Sequence, residues 1–292
     1  MATQLTWSGE DVRLGDVDRE LAQLRGEAAQ DRPSMRTSVM THMAWVPEDW
    51  LDPARAALEG MAELHPSRTI ILIPDSDTGA NRIDAALALV SYDLPGVDRK
   101  VVSEVIELRL CGARAKAPAS IVQPLLISDL PVFLRWRGVP PWGAPELDQL
   151  VGVADRLIVD STEWDELPHA YSRLASLFGS VAVSDIAWAR TSRWRHLLAS
   201  LWPEIADLGT LRVRGTAPQA LLLCGWLRSR LGRPDIDLEH VEAERLEGID
   251  LDGKPAPFPP GDPPLPSDVL SEELDRFTRD PVYEAAVRAV AA

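Results

Sequence analysis

Thr69-Ile70-Ile71-Leu72-Ile73 follows His65-Pro66-Ser67-Arg68 and reads as a buried strand, and what precedes it decides the fold. Upstream, Asp52-Pro53 sets a capping carboxylate before a proline suited to a first helical turn. Leu51, Ala54, Leu58 and Met61 then mark one helical face. Before that helix, Val39, Met43 and Trp45 alternate with polar neighbours across residues 36–46, a strand-like period. Strand, helix and strand in this order predict a covered sheet that is at least partly parallel.

Outward from this unit the alternation continues. Strands are expected at 85–92 and 101–111, a helix over 117–126, and a strand over 131–136 before the turn Pro140-Pro141-Trp142-Gly143. A short strand follows at 155–160. Pro168 then opens a helix through Tyr171, Leu174 and Phe178, with Gly179 placed to close it. A strand is expected at 181–186, then a helix capped by Thr191 with Trp194, Leu197, Leu198 and Leu201 on one face. Strands at 211–214 and 238–246 flank a helix over 218–231 that ends at Gly232. Val17, Leu21 and Leu24 mark a helical N-terminal segment, which Asp31-Arg32-Pro33-Ser34 breaks.

The fold class is therefore α/β, with two successive α/β lobes of mixed, partly parallel sheets at 35–160 and 161–254. The N-terminal helical segment, 1–34, precedes them. A Pro-rich acidic arm and short helix, 255–292, follow. Seven prolines between 255 and 266 keep the arm extended, and Pro281 interrupts the terminal helix.

Composition narrows the function. The 292 residues suit two domains, and 46% hydrophobic with 26% charged residues is the balance of a soluble globular chain. No apolar run approaches the ~18 residues a membrane span needs. The first 30 residues carry charges throughout and no apolar signal core, so a cytoplasmic location is expected. A net charge of −15 argues against nonspecific binding to nucleic acid or anionic membranes. Between 235 and 280 there are 14 acidic and 4 basic residues, which is either a solvated face or a tethered arm for a basic partner. Two cysteines exclude a disulfide scaffold and a multi-cysteine zinc site. Cys111 ends a strand, Cys224 shares a helix face with Ala220, Leu227 and Leu231, and both read as buried.

The chain carries no phosphate-binding glycine loop and no nucleophile elbow, and its five histidines form no metal-binding pair. No catalytic residue, metal ligand or cofactor is therefore assigned. Asp75-Ser76-Asp77 reads as a polar loop at a strand end.

Two patches remain. His65, Ser67 and Arg68 bring imidazole, hydroxyl and guanidinium to one junction, either an anion site or a tight turn with a helix-terminal cation. Arg190, Arg193 and Arg195 cluster at a helix start in an acidic protein, facing an anionic ligand, a partner's carboxylates, or Asp185 within the chain. Tryptophan outnumbers phenylalanine and tyrosine together, 10 to 7, so Trp136, Arg137 and Trp142 are candidate partner contacts, with core burial as the alternative.

The stretches His65–Ile73, Pro124–Pro141, Ala154–Ser161 and Val183–Ala199 resemble the glucose-6-phosphate dehydrogenase assembly proteins of cyanobacteria and actinobacteria, often called OpcA. Weaker likeness runs through Gly215–Leu231 and Arg279–Val287. The resemblance implies a non-enzymatic cytoplasmic partner of glucose-6-phosphate dehydrogenase that promotes its active oligomer in the oxidative pentose phosphate pathway. It supplies no catalytic residues. The thioredoxin-dependent control associated with some cyanobacterial members is not carried over to Cys111 and Cys224. The alternative expectation is an α/β protein that binds or acts on a sugar phosphate through His65, Ser67, Arg68 and Arg190.

Overall fold

A computed structural model of the chain describes residues 3–31, 34–35, 38–61, 67–93, 100–262 and 266–291. They form two units, Met1–Leu157 and Ile158–Ala292. The first runs β1 (Thr3–Gly9), α1 (Leu14–Asp31), β2 (Ser34–Met35), β3 (Thr41–Trp45), α2 (Leu51–Met61), β4 (Arg68–Asp75), β5 (Ile83–Asp93) and β6 (Lys100–Cys111). It continues with α3 (Pro118–Val122), β7 (Val132–Trp136), α4 (Pro145–Val151) and β8 (Arg156–Val159), the strand that carries the chain into the second unit.

In the sheet of the first unit the strands lie in the order β1-β5-β6-β4-β3-β7, with β2 against β6. The strand–helix–strand unit expected from Thr69–Ile73 is present, with β3 parallel to β4 in the register Met43↔Ile70 and Ala44↔Ile71. β3 is also parallel to β7, and β4 to β6, whereas β5 and β1 add antiparallel strands at the edge.

The alternation expected over 36–46 is corrected here. All five residues of β3 are buried, because a central strand with parallel neighbours is covered on both faces. Leu51 and Ala54 of α2 close one of these faces over Ala44, Val46, Ile71 and Ile73. The opening segment is also corrected. Only α1 is helical, with Val17, Leu21 and Leu24 buried as expected, and β1 precedes it as an edge strand. Helix α4, begun by Pro145, was not expected. The Arg32-Pro33 part of the expected break lies outside the described residues.

The second unit runs α5 (His169–Ala175), β9 (Ala182–Asp185), α6 (Ile186–Arg190), α7 (Ser192–Ser200), β10 (Thr210–Gly215), α8 (Ala217–Leu231), β11 (Asp237–Glu242), β12 (Gly248–Leu251), β13 (Lys254–Pro255), α9 (Pro266–Leu274) and α10 (Pro281–Ala291). A mixed sheet β11-β10-β12-β13 pairs β10 with β11 in parallel and with β12 antiparallel.

Helix α8 supplies the crossover from β10 to β11. Pro218 sits in its first turn, the Gln219 side chain accepts from the Thr216 N–H at 3.2 Å, and Gly232 ends it in the left-handed conformation at φ +64°. Asp252 and Gly253, both at positive φ, turn β12 into β13, a hairpin that was not expected.

Three capping expectations fail, the first being Asp52, which lies inside α2 because that helix begins at Leu51. Gly179 is not left-handed; the chain leaves α5 through a 3-10 turn in which the Ser180 N–H reaches the Leu177 carbonyl at 2.9 Å. Thr191 does not cap α7 with its hydroxyl, which donates instead to the Trp188 carbonyl at 2.7 Å and closes α6. No helix among the described residues is long and apolar enough to cross a membrane.

Candidate functional site

In the second unit, two strand ends supply the polar groups. Asp160 and Ser161 follow β8, and Asp185 ends β9 and caps α6 by accepting from the Ala187 N–H at 2.9 Å. Asp185 is wholly buried, so its remaining lone pairs need donors. Ser161 donates to it twice, from its backbone N–H at 3.1 Å and its hydroxyl at 2.7 Å. Tyr283 of α10 donates at 3.2 Å, and Tyr171 of α5 donates to Ser161 Oγ at 2.9 Å.

Burial pushes the Asp185 carboxyl up to about 6, and the nearby Asp160 charge adds to the rise, while hydrogen bonds from Ser161 oppose it. Burial raises both tyrosine phenols well above their ordinary value, helped by the Asp185 charge, so they stay neutral donors. Ser161, Asp185, Tyr171 and Tyr283 are all sealed from solvent. Their geometry ties strand ends and helices together and leaves no approach for a substrate. The sequence signals were the polar strand ends Val159-Asp160-Ser161 and Val183-Ser184-Asp185.

Outside this network lies the arginine cluster. Arg190 pairs with Asp160 at 3.0 Å, so its carboxylate partner is not Asp185. Arg195 lies 3.5 Å above the Trp188 ring and donates from Nε to Thr191 Oγ1 at 3.0 Å. Desolvation lowers its pKa to about 10, which leaves it charged at neutral pH. Arg193 Nη2 donates to the carbonyls of Pro259 at 3.0 Å, Pro260 at 2.7 Å and Gly261. This binds the Pro-rich stretch to α7, where Phe258 packs at 5.8 Å from the buried Trp194 ring. Together Arg190, Arg193, Trp194, Gln219, Arg245 and Phe258 line a cavity of about 620 Å³.

The first unit treats its candidates differently. His65 lies outside the described residues. Arg68 is buried and donates from Nε to Glu104 at 2.8 Å and from Nη1 to the Leu125 carbonyl at 2.6 Å. Arg25 holds the other Glu104 oxygen at 2.6 Å. Burial pushes the Glu104 carboxyl up, but Arg25 and Arg68 outweigh it and hold the group below its ordinary value. Ser67 Oγ lies 3.4 Å from Thr69 Oγ1, and both line a cavity of about 370 Å³ with His42, Arg55, Tyr92 and Glu107. Arg68 and Arg190 thus belong to different units, each paired with a carboxylate of its own unit.

Trp136 is 1% exposed and stacks on Trp45 at 5.0 Å, so it is core and not a contact for a partner. Arg137 and Trp142 are half-buried, and Arg137 lies 4.5 Å above the Trp50 ring. Cys111 and Cys224 are buried free thiols, and desolvation raises both above their ordinary value. Among the exposed aromatics that the sequence reading passed over are Trp202, 60% exposed, and Phe258, 75% exposed. Neither belongs to a periodic segment, so no pattern marked it.

Comparison with known proteins gives a consistent outcome. Residues 58–176 match the family model described as glucose-6-phosphate dehydrogenase subunit N-terminal domain, and residues 181–256 match the one described as its C-terminal domain. A Synechococcus elongatus protein is 28% identical over 233 residues, 70% of this chain and 50% of its own length. A Nostoc punctiforme protein is 30% identical over 141 residues, 45% of this chain and 30% of its own. A Synechocystis sp. protein is 24% identical over 181 residues, 59% of this chain and 38% of its own. Each carries the provisional name OxPP cycle protein OpcA. The chain spans half or less of the length of these relatives.

Proposed function

The chain belongs to the OpcA family, and from that premise we propose that it binds glucose-6-phosphate dehydrogenase and promotes the enzyme's active oligomer without performing a chemical step itself. The observation that carries this reading is the pair of consecutive family matches, over 58–176 and 181–256. An activator of this kind works only by holding the active state of the enzyme more tightly than the inactive one. A tenfold shift in population needs about 1.4 kcal/mol of differential affinity, within reach of one well-placed contact.

Trp202 supports the reading as an anchor. It is a large aromatic, 60% exposed, inside the C-terminal family match, and tryptophan is the residue type most enriched among interface hot spots. Arg137 and Trp142 offer a second, half-buried contact.

The test mixes the purified chain with glucose-6-phosphate dehydrogenase and follows oligomer size, KM and kcat. Co-elution with a larger active oligomer, weakened at least tenfold by Trp202→Ala at unchanged melting temperature, is expected. No co-elution and unchanged kinetics at micromolar concentrations would overturn the reading.

A further inference from the structure

The cavity beside α7 is basic in a strongly acidic protein. Arg190, Arg193 and Arg245 line it against a single carboxylate, Glu247, whereas the whole chain carries a net charge of −15. None of the three guanidinium groups is fully spent internally. Arg190 uses one nitrogen on Asp160, and Arg193 uses one on the Pro259–Gly261 carbonyls. Arg245 is exposed and has no hydrogen bond or ion pair among the described residues. Convergent guanidinium groups suit phosphate oxygens, which they engage through paired N–H donors.

The same cavity has an aromatic wall. Phe258 keeps 75% of its surface exposed although its ring packs on Trp194 at an interplanar angle of 59°. The ring is held in place from one side while its outer surface stays open. Arg193 fixes the backbone that carries it through the carbonyls just beyond. A rigid, open aromatic face next to cations suits a planar ring joined to a phosphate. Glu247, on the same wall, is an acceptor for an exocyclic amino group. A volume of about 620 Å³ lies within the range of small-molecule sites.

We propose that the cavity formed by Arg190, Arg193, Arg245, Trp194 and Phe258 binds a nucleoside phosphate, with the phosphates on the arginines and an amino-bearing base stacked on Phe258. Such binding goes beyond the proposed docking of an enzyme and is tested without a partner.

Calorimetric titration of the full chain with ATP, AMP, adenosine, ribose 5-phosphate and inorganic phosphate reads both halves of the ligand. ATP is expected to bind at least tenfold more tightly than adenosine or ribose 5-phosphate. Arg245→Gln is expected to weaken ATP at least tenfold, and Phe258→Ala to bring AMP down to the affinity of ribose 5-phosphate. Both side chains are exposed, so the variants should melt at the parent temperature, which calorimetry of the free proteins checks. Equal affinity for ATP and ribose 5-phosphate, no heat with millimolar ATP, or binding unmoved by Arg245→Gln would each overturn the proposal.

Discussion

Tyr283 donates its phenolic hydroxyl to the Asp185 carboxylate at 3.2 Å, joining residues 98 positions apart in the sequence. Both are fully buried, so the last helix of the chain completes the hydrogen bonding of a carboxylate set at the end of a buried strand. Tyr283→Phe keeps the ring and removes one donor. Hydrogen bonds to a charged group contribute about 1.5–3 kcal/mol, and a loss of that size is expected in urea unfolding followed by circular dichroism. A change below about 0.5 kcal/mol would mean that Asp185 does not depend on this donor.

The pH dependence of stability follows from the same carboxylate. Asp185 titrates at an ordinary 3.8 when unfolded and at about 6 when folded, so between these values the folded state binds more protons. Its contribution therefore falls as the pH rises from about 4 to 6, by about 3 kcal/mol, and is level above that. Carboxylates that arginines hold low, such as Asp84 bonded to Arg82, act in the opposite sense. The difference between the parent and Asp185→Asn isolates the slope. Denaturation midpoints at pH 4, 5, 6 and 7 should diverge by this pattern, and parallel curves would show Asp185 ionised throughout.

Glu104 joins two arginines of the first unit, and Arg68, like the carboxylate, is buried. Glu104→Gln strands a buried cation and should destabilise by about 3–5 kcal/mol. The double change Arg68→Met with Glu104→Leu removes both charges of the buried pair and should cost less than Glu104→Gln alone, by chemical denaturation of each variant. The reverse order would place the stabilisation in the ion pair and not in charge compensation.

Gly225 and Gly26 form an opposed pair. Both are helical, and alanine is favoured over glycine in a helix by about 1 kcal/mol. A Cβ on Gly26 meets nothing within 4 Å, so Gly26→Ala should stabilise. A Cβ on Gly225 collides with the Ala286 carbonyl of α10, so Gly225→Ala should destabilise by about 1–3 kcal/mol. Melting curves of the two variants check the sign of each, and a stabilised Gly225→Ala would mean that α10 moves aside freely.

Where a pattern was local, the sequence carried it. The turn from β10 through α8 to Gly232 rests on a proline start, a glycine stop and periodicity within one segment, and these need no distant partner. The missed strand β1 had a legible signal as well, since Leu5 and Trp7 are half-buried between the exposed Gln4, Thr6 and Ser8. Its charged surroundings and the helix that follows masked the alternation. Trp136 shows where composition misled. An aromatic beside an arginine and a proline turn resembles an interface, but its register opposite Trp45 on a central parallel strand places it in the core.

The residues alone determined the α/β class, the parallel pairing around Thr69–Ile73, the buried face of α1, and the family to which the chain belongs. Tertiary structure decided the partners. Arg190 meets Asp160, Arg193 holds the Pro-rich stretch, and Tyr171, Ser161 and Tyr283 gather on Asp185. Periodicity and capping act over a few residues of one segment. The choice of a polar partner depends on which strand ends and helices lie side by side, and on the need to satisfy every buried polar group once water is removed.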